Sequence, residues 1–238
     1  MTEWFEEWFG EEYLRLYPHR DDAEARRAVA LISRTVGLQS GWRVLDVACG
    51  AGRHARAFAH AGATCFGLDL SPTLLRMARQ VTNAPLIRAD MRQLPIRLAS
   101  MDLTVNLFTS FGYFERDAEH TAALHEMIST VRSQGWFVID FLNPVAVRRR
   151  LVPEETVELS GETVRVTRSL SPDGRYVCKS IRAEGGRQYM ERVRLFEPDQ
   201  ILHMLRAAGL QVRQRFGDYD ASPLTPDAPR TILMGQVA

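Results

Sequence analysis

Residues 44–54 read Val44-Leu45-Asp46-Val47-Ala48-Cys49-Gly50-Ala51-Gly52-Arg53-His54, an apolar run that enters a glycine turn and leaves into a helix. Gly50 and Gly52 lack side chains, so a ligand can lie directly on the backbone there. The amides of the first helical turn point at whatever occupies that place. Asp46 stands just ahead of the glycines, and Asp69 closes the next apolar run, Phe66-Gly67-Leu68-Asp69. A strand-end carboxylate at that distance downstream is placed to accept both hydroxyls of a ribose. The chemistry implied is recognition of a nucleoside-containing cofactor.

Further polar groups follow at the ends of later apolar runs. Asp90 follows Leu86-Ile87-Arg88-Ala89 and precedes Met91, and Asn106-Leu107 opens a polar-aromatic segment that continues to Ser110-Phe111-Gly112-Tyr113. His54 reads as a satisfied helix-face histidine. His120 and His125 read as structural residues on a solvent-facing helix. The three cysteines, Cys49, Cys65 and Cys178, have no metal-ligand spacing, and no metal is expected. Cys49 and Cys65 lie in or beside predicted core strands, where a thiol acts as a small apolar group.

These groups need strands and helices to hold them. Strands are expected near residues 43–48, 64–69, 86–89, 102–108 and 135–141, and helices near 53–61, 72–81 and 118–132. Ser71-Pro72 is a cap followed by proline at the first helical position. Regular strand–helix alternation predicts a parallel sheet covered on both faces. The rhythm breaks after Asp140. Alternating segments between Thr156 and Phe196, with a turn at Pro172-Asp173-Gly174 and another at Gly185-Gly186, predict a three-stranded antiparallel meander. Pro198 opens a further helix that Gly209 ends, and two closing strands near 210–217 and 230–237 should pair antiparallel. Ahead of the sheet, Trp4, Phe5, Trp8 and Phe9 share one helical face, and a second helix follows Asp21 or Asp22.

Together, the glycine turn, the three strand-end acids and the segment after the fourth strand resemble the class I S-adenosylmethionine-dependent methyltransferases. The likeness runs from about Trp42 to about Gly209. In layout it is similar to small-molecule N-methyltransferases with an antiparallel insertion after the fifth strand, including those acting on amino sugars. The implied fold is α/β: a Rossmann-like three-layer sandwich whose seven-stranded sheet is mostly parallel with an antiparallel last strand, plus a small antiparallel β insertion. The implied units are an N-terminal helical lid (1–36), a cofactor-binding core (37–147 and 197–238) and the insertion (148–196), which forms part of an acceptor pocket or a dimer contact.

The resemblance also implies roles. Asp46, Ala48, Gly50 and Gly52 would line the amino-acid portion of S-adenosylmethionine; Ala48 departs from the glycine usual at that place. Asp69, with Leu70 beside it, would take the ribose hydroxyls. Asp90 would accept from the adenine amine, and Met91 would donate an amide and pack on the ring. Asn106 and Leu107 would offer backbone carbonyls to the ammonium group. In the lid, Tyr17 or Arg20 would meet the cofactor carboxylate, and His19 is a candidate base. Tyr113 is the other catalytic candidate, and Tyr113, Asn143, Tyr189 and Arg192 are candidate acceptor contacts.

Composition narrows the partners. The 238 residues carry a net charge of +1, so no global field draws the protein onto nucleic acid or anionic lipid. Lys179 is the only lysine. The sequence has neither an aromatic-interleaved basic patch nor an Asn-Pro-Pro-Tyr type motif after the fourth strand, and Arg148-Arg149-Arg150 reads as a solvated helix end. No apolar run approaches membrane-spanning length, and the acidic N-terminus is unlike a signal peptide. The expectation is a cytoplasmic monomer or homodimer that methylates nitrogen or oxygen of a small molecule. The alternatives are an NAD(P)-dependent oxidoreductase, for which Gly50-Ala51-Gly52-Arg53-His54-Ala55 satisfies the dinucleotide pattern, and a non-catalytic cofactor-binding module.

Overall fold

Val44 and Leu45 are adjacent in sequence yet belong to opposite cores. Val44 packs with Phe58 and Ile32 on one side of a sheet, and Leu45 with Leu124 and Ile139 on the other. Successive strand residues point to opposite faces, so a strand buried on both must be apolar throughout. This is β1 (Arg43–Val47), the centre of a computed structural model that describes residues 4–10, 22–159, 162–183 and 188–238. Around it run β2 (Thr64–Asp69), β3 (Leu86–Arg88), β4 (Met101–Asn106), β5 (Val131–Leu142), β10 (Leu210–Phe216) and β11 (Arg230–Val237). The sheet order is β10-β11-β5-β4-β1-β2-β3. β11 alone runs opposite to the other six strands, as the sequence reading expected.

Helices α2 (Asp22–Val36) and α3 (Arg53–His60) cover one face, and α5 (Asp117–Ser129) and α7 (Pro198–Ala207) the other. Between them in sequence, α4 (Pro72–Val81) starts at the expected cap, where Ser71 Oγ accepts the Leu74 amide at 3.2 Å. The strand-to-helix turns after β1, β2 and β4 all leave from the carboxyl edge of the sheet, where ligands of open α/β sheets bind.

After β5 the short helix α6 (Pro144–Arg150) leads into a second sheet. Its strands are β6 (Glu154–Leu159), β7 (Glu162–Leu170), β8 (Tyr176–Ala183) and β9 (Gln188–Arg194), antiparallel and in that order. There are four strands, not three. The extra one is β6, whose three glutamates suit an edge but give a weak apolar signal. The Arg194 amide bonds the Gly112 carbonyl at 2.7 Å, which ties the second sheet to the segment after β4. The N-terminal helix α1 (Trp4–Trp8) touches both sheets.

His120 is the main departure within the core. It is fully buried rather than solvent-facing, with Phe111, Phe114 and Phe196 rings at 5.0 to 5.3 Å. Phe196, brought in by the return of the second sheet, covers the face that the helix pattern alone assigned to water. Burial lowers the His120 pKa to about 4, so the imidazole is neutral. Arg148, Arg149 and Arg150 are exposed at the end of α6, as expected. Among the described residues no helix is long and apolar enough to cross a membrane.

Candidate functional site

The glycine turn is held open by Asp69. Its Oδ2 accepts the Gly50 amide and its Oδ1 the Ser71 amide, both at 2.8 Å. Ala48, Gly50 and Gly52 adopt φ values of +60°, +55° and +81°, the left-handed region that glycine enters without penalty. The two glycines differ in purpose. A Cβ on Gly50 would meet only Leu74, at 4.0 Å, whereas one on Gly52 would sit 3.0 Å from the Ala78 Cβ of α4. Gly50 is thus bare toward a cavity, while Gly52 is bare because two helices meet there. That corrects the expectation that both glycines clear space for a ligand.

Asp46 lies behind the turn, 1% exposed, with no partner for Oδ2 among the described residues. Burial, and then the nearby Asp69, push its pKa up to about 7 against the pull of Arg53 and the Ala55 amide. Asp69 is also pushed up by burial, with the amides of Ser71, Gly50 and Leu70 opposing. The Cys49 thiol is held well above its ordinary pKa by burial and both carboxylates, and so is a protonated apolar group rather than a nucleophile.

The first cavity opens over the turn, with an empty volume of ≈ 740 Å³. Ala48, Gly50, Asp69, Leu70, Asp90 and Met91 line it, and Phe5 and Phe9 cover it from the N-terminal segment. Asp90 is already engaged: it accepts the Arg92 amide at 2.8 Å and the guanidinium at 2.6 Å. A carboxylate has about four acceptor positions; Asp69 retains capacity for a ligand donor, whereas Asp90 already accepts four contacts from Arg92, which a ligand donor there must displace. An apolar slot with carboxylates at the ends of β2 and β3 fits an adenosine.

A second cavity lies on the other side of the turn and shares Ala48, Gly50, Leu74 and Ser110 with the first. Leu107, Arg53, His54 and Arg56 complete much of it. Asn106 is fully buried, its Nδ2 donating to the Val47 carbonyl at 3.1 Å. His54 departs from expectation: it is 4% exposed, and its Nε2 has no partner among the described residues. Burial and the charges of Arg53 and Arg230 lower its pKa well below the usual value. A helix-face position was legible; the covering contributed by distant segments was not.

The third cavity, with an empty volume of ≈ 1370 Å³, lies between the carboxyl edge of the main sheet and the second sheet. Tyr113 lines both it and the first cavity, and Phe108 both it and the second. The Tyr113 hydroxyl donates to the Thr109 carbonyl at 2.6 Å. Phe108 and Thr109 both hold φ +60°, a strained pair of the kind found at functional sites. Asp140 supports them by accepting the Phe108 amide at 2.9 Å, and it also binds the Tyr219 hydroxyl and Arg230. The guanidinium carbons of Arg53 and Arg230 lie 4.2 and 4.6 Å from the Phe108 ring centre.

Three acceptor-contact expectations need correction. Asn143 is 2% exposed and spends its side chain on structure: Oδ1 accepts from Val145 and Ala146 at the start of α6, and Nδ2 donates to the Thr225 and Ala228 carbonyls. Arg192 lies on the outer face of β9 with its guanidinium 3.8 Å from the Tyr176 ring centre. Tyr189 is on the inner face but packs on Trp8, ring centres 4.5 Å apart. The residues of β8 and β9 that do line the cavity are Val177, Lys179, Glu191 and Val193. Alternation alone would have found them once the register was known. Phe108 and Asp140 were missed because their importance comes from contacts across the fold. Tyr17, His19 and Arg20 lie outside the described residues.

Comparison with known proteins accords with this geometry. The family described as "Methyltransferase domain" matches residues 44–135. The chain is 31% identical over 179 residues to dTDP-3-amino-3,6-dideoxy-alpha-D-glucopyranose N,N-dimethyltransferase of Streptomyces fradiae, covering 71% of this chain and 70% of that protein. Its fold is similar to the CcbJ methyltransferase from Streptomyces caelestis, with a TM-score of 0.82, 20% identity, and 97% and 98% of the two chains covered. It is also similar to SAM-bound CalS10, an amino pentose methyltransferase from Micromonospora echinaspora, with a TM-score of 0.72, 22% identity, and 96% and 97% covered. The chain belongs to the class I S-adenosylmethionine-dependent methyltransferases, with S-adenosylmethionine as its cofactor.

Proposed function

We propose that this methyltransferase modifies the nitrogen of a small-molecule amine bound in the third cavity. The observation that carries the reading is that one segment, Phe108 to Tyr113, contributes to the walls of all three cavities. An acceptor in the third cavity therefore borders the same segment as a cofactor in the first. The cofactor supplies a methyl group already activated on a sulfonium, so the chain's task is alignment and exclusion of water.

In this reading Asp69 receives the ribose hydroxyls, with Leu70 beside them, and Asp90 and Met91 receive the adenine. The backbones of Ala48, Gly50, Asn106 and Leu107 border the amino-acid end. Gly52 and Asp46 support the turn from behind. The N-terminal segment acts as the lid, and residues 148–196 form the acceptor side.

Nitrogen is favoured over oxygen by the lining of the third cavity. A hydroxyl acceptor needs a base to take its proton in the transition state, whereas a neutral amine attacks with its own lone pair and loses the proton afterwards. Among the described residues no histidine lines this cavity. Its two carboxylates are engaged, Glu155 with Arg168 at 2.5 Å and Glu191 with the Trp8 indole at 2.8 Å. The similarity to an enzyme named as an amino-sugar N,N-dimethyltransferase points the same way.

The test is transfer of isotope from labelled S-adenosylmethionine to a panel of amino sugars, free and nucleotide-linked, other small amines, and phenols and quinols. Label on an amine is expected. Label on hydroxyl acceptors alone would overturn the assignment to nitrogen.

A further inference from the structure

The segment from Trp4 to Gly10 serves two sites at once. Phe5 and Phe9 border the first cavity, and Ser71 Oγ donates to the Phe9 carbonyl at 2.5 Å. The rings of Trp4, Phe5 and Phe9 surround Tyr113 at 5.3, 6.3 and 5.5 Å. Trp8 turns the other way. It is 4% exposed in a cluster with Val164, Val166 and Ile181 of the second sheet. Its ring lies on Tyr189, and its Nε1 donates to Glu191 Oε1 at 2.8 Å. Glu191 lines the third cavity.

A helix of five residues does not hold its own shape in water, because nucleation costs more than one turn returns. Its order comes from docking, here on both sites. A cofactor in the first cavity adds contacts for Phe5 and Phe9, and any stabilisation of their seat also stabilises Trp8 against β9. None of the β9 residues lines the first or second cavity, so this link does not require the cofactor to touch the second sheet.

We propose that Trp8 is a positioning residue for the acceptor cavity: cofactor occupancy seats the N-terminal helix, and Trp8 carries that seating to Tyr189 and Glu191. The wall of the third cavity is then complete only in the cofactor-loaded protein, and the acceptor binds second. The proposal rests on the third cavity being the acceptor site. By linkage the acceptor must favour cofactor binding by the same factor, ordinarily about 5- to 150-fold.

Amide hydrogen exchange of the full chain, with and without saturating S-adenosylhomocysteine, tests this without any methyl transfer, so its outcome is separate from the search for an acceptor. Ligand binding slows exchange wherever it requires global unfolding, so β9 is compared with β10 at the far edge of the main sheet. In the wild type, S-adenosylhomocysteine should slow the amides of residues 188–194 more than those of 210–216. Trp8→Ala should weaken S-adenosylhomocysteine binding by no more than that coupling factor, about 5- to 150-fold, and lose the extra slowing in β9. Trp8→Phe keeps the ring on Tyr189 without the indole N–H, and should retain part of the slowing even if the alanine variant fails to fold. Equal slowing of β9 and β10 in the wild type would overturn the proposal. So would extra slowing that persists undiminished in both variants. A loss of S-adenosylhomocysteine affinity larger than the coupling factor in both variants would also overturn it, by making Trp8 part of the cofactor site itself.

Discussion

Asp69 and Gly50 meet through a 2.8 Å hydrogen bond from the glycine amide to Oδ2, joining the end of β2 to the turn after β1. The same carboxylate holds the Ser71 amide at the start of α4. One side chain thereby fixes two loops and presents its remaining lone pairs to the first cavity. Asp69→Ala should weaken S-adenosylhomocysteine binding by about 1.5–3 kcal/mol for each charge-assisted bond lost. Calorimetry on the folded variant checks this, and unaltered affinity would refute the ribose assignment.

Gly50 and Gly52 should respond differently to alanine. At Gly52 a methyl group meets the Ala78 Cβ at 3.0 Å and the Thr82 Cγ2 at 3.2 Å, at a φ of +81°. Overpacking plus left-handed strain should cost about 1–3 kcal/mol, read as a lower urea midpoint. At Gly50 the space is open, so Gly50→Ala should lose less stability and more affinity for S-adenosylhomocysteine.

Asp46 gives a pH dependence with a definite sign. Its folded pKa is raised from the ordinary 3.8 to about 7, first by burial and then by Asp69. The folded protein therefore holds a proton that the unfolded chain has released, and this contribution is fully present below the unfolded pKa. It is lost as pH rises to about 7. Asp46→Asn should flatten that decline, so the variant's stability relative to wild type should improve between pH 5 and pH 8. Urea melts at the two values measure the difference; an identical decline in both proteins would exclude Asp46 as its source.

Asp140 anchors the segment shared by the three cavities. It is fully buried and binds the Phe108 amide, the Tyr219 hydroxyl and the Arg230 guanidinium. Its removal would leave Arg230 with Glu24, at 2.8 Å, but take the acceptor from the Phe108 amide and the Tyr219 hydroxyl and half the charge pairing from a buried guanidinium. Asp140→Ala should therefore cost about 3–5 kcal/mol in chemical denaturation. A loss below about 1 kcal/mol, the scale of an exposed pair, would mean that Glu24 alone satisfies Arg230.

Much of the fold was readable along the chain because its signals are local. The apolar run of β1, the glycine turn and Ser71-Pro72 each specify their own backbone, and regular alternation with helices specifies a parallel sheet. The carboxylates at the ends of β2 and β3 followed from the same alternation, which places strand ends at one edge. The weak edge strand β6 lacked such a signal, since its exposed positions carry charge.

What the tertiary structure decided was what each side chain faces. Glu191, not Arg192, lines the third cavity because strand register sets which residues of β9 turn inward, and a shift of one position reverses them all. Asn143 is occupied by carbonyls of a loop 82 and 85 residues away, and His120 is covered by Phe196, which arrives only after the second sheet returns. Periodicity can name the faces of an element, but burial depends on which distant segment folds over them. Local signals along the chain therefore fix the cofactor turn and the order of the elements. Only the packed chain determined the acceptor-side wall and the partners of its buried polar groups.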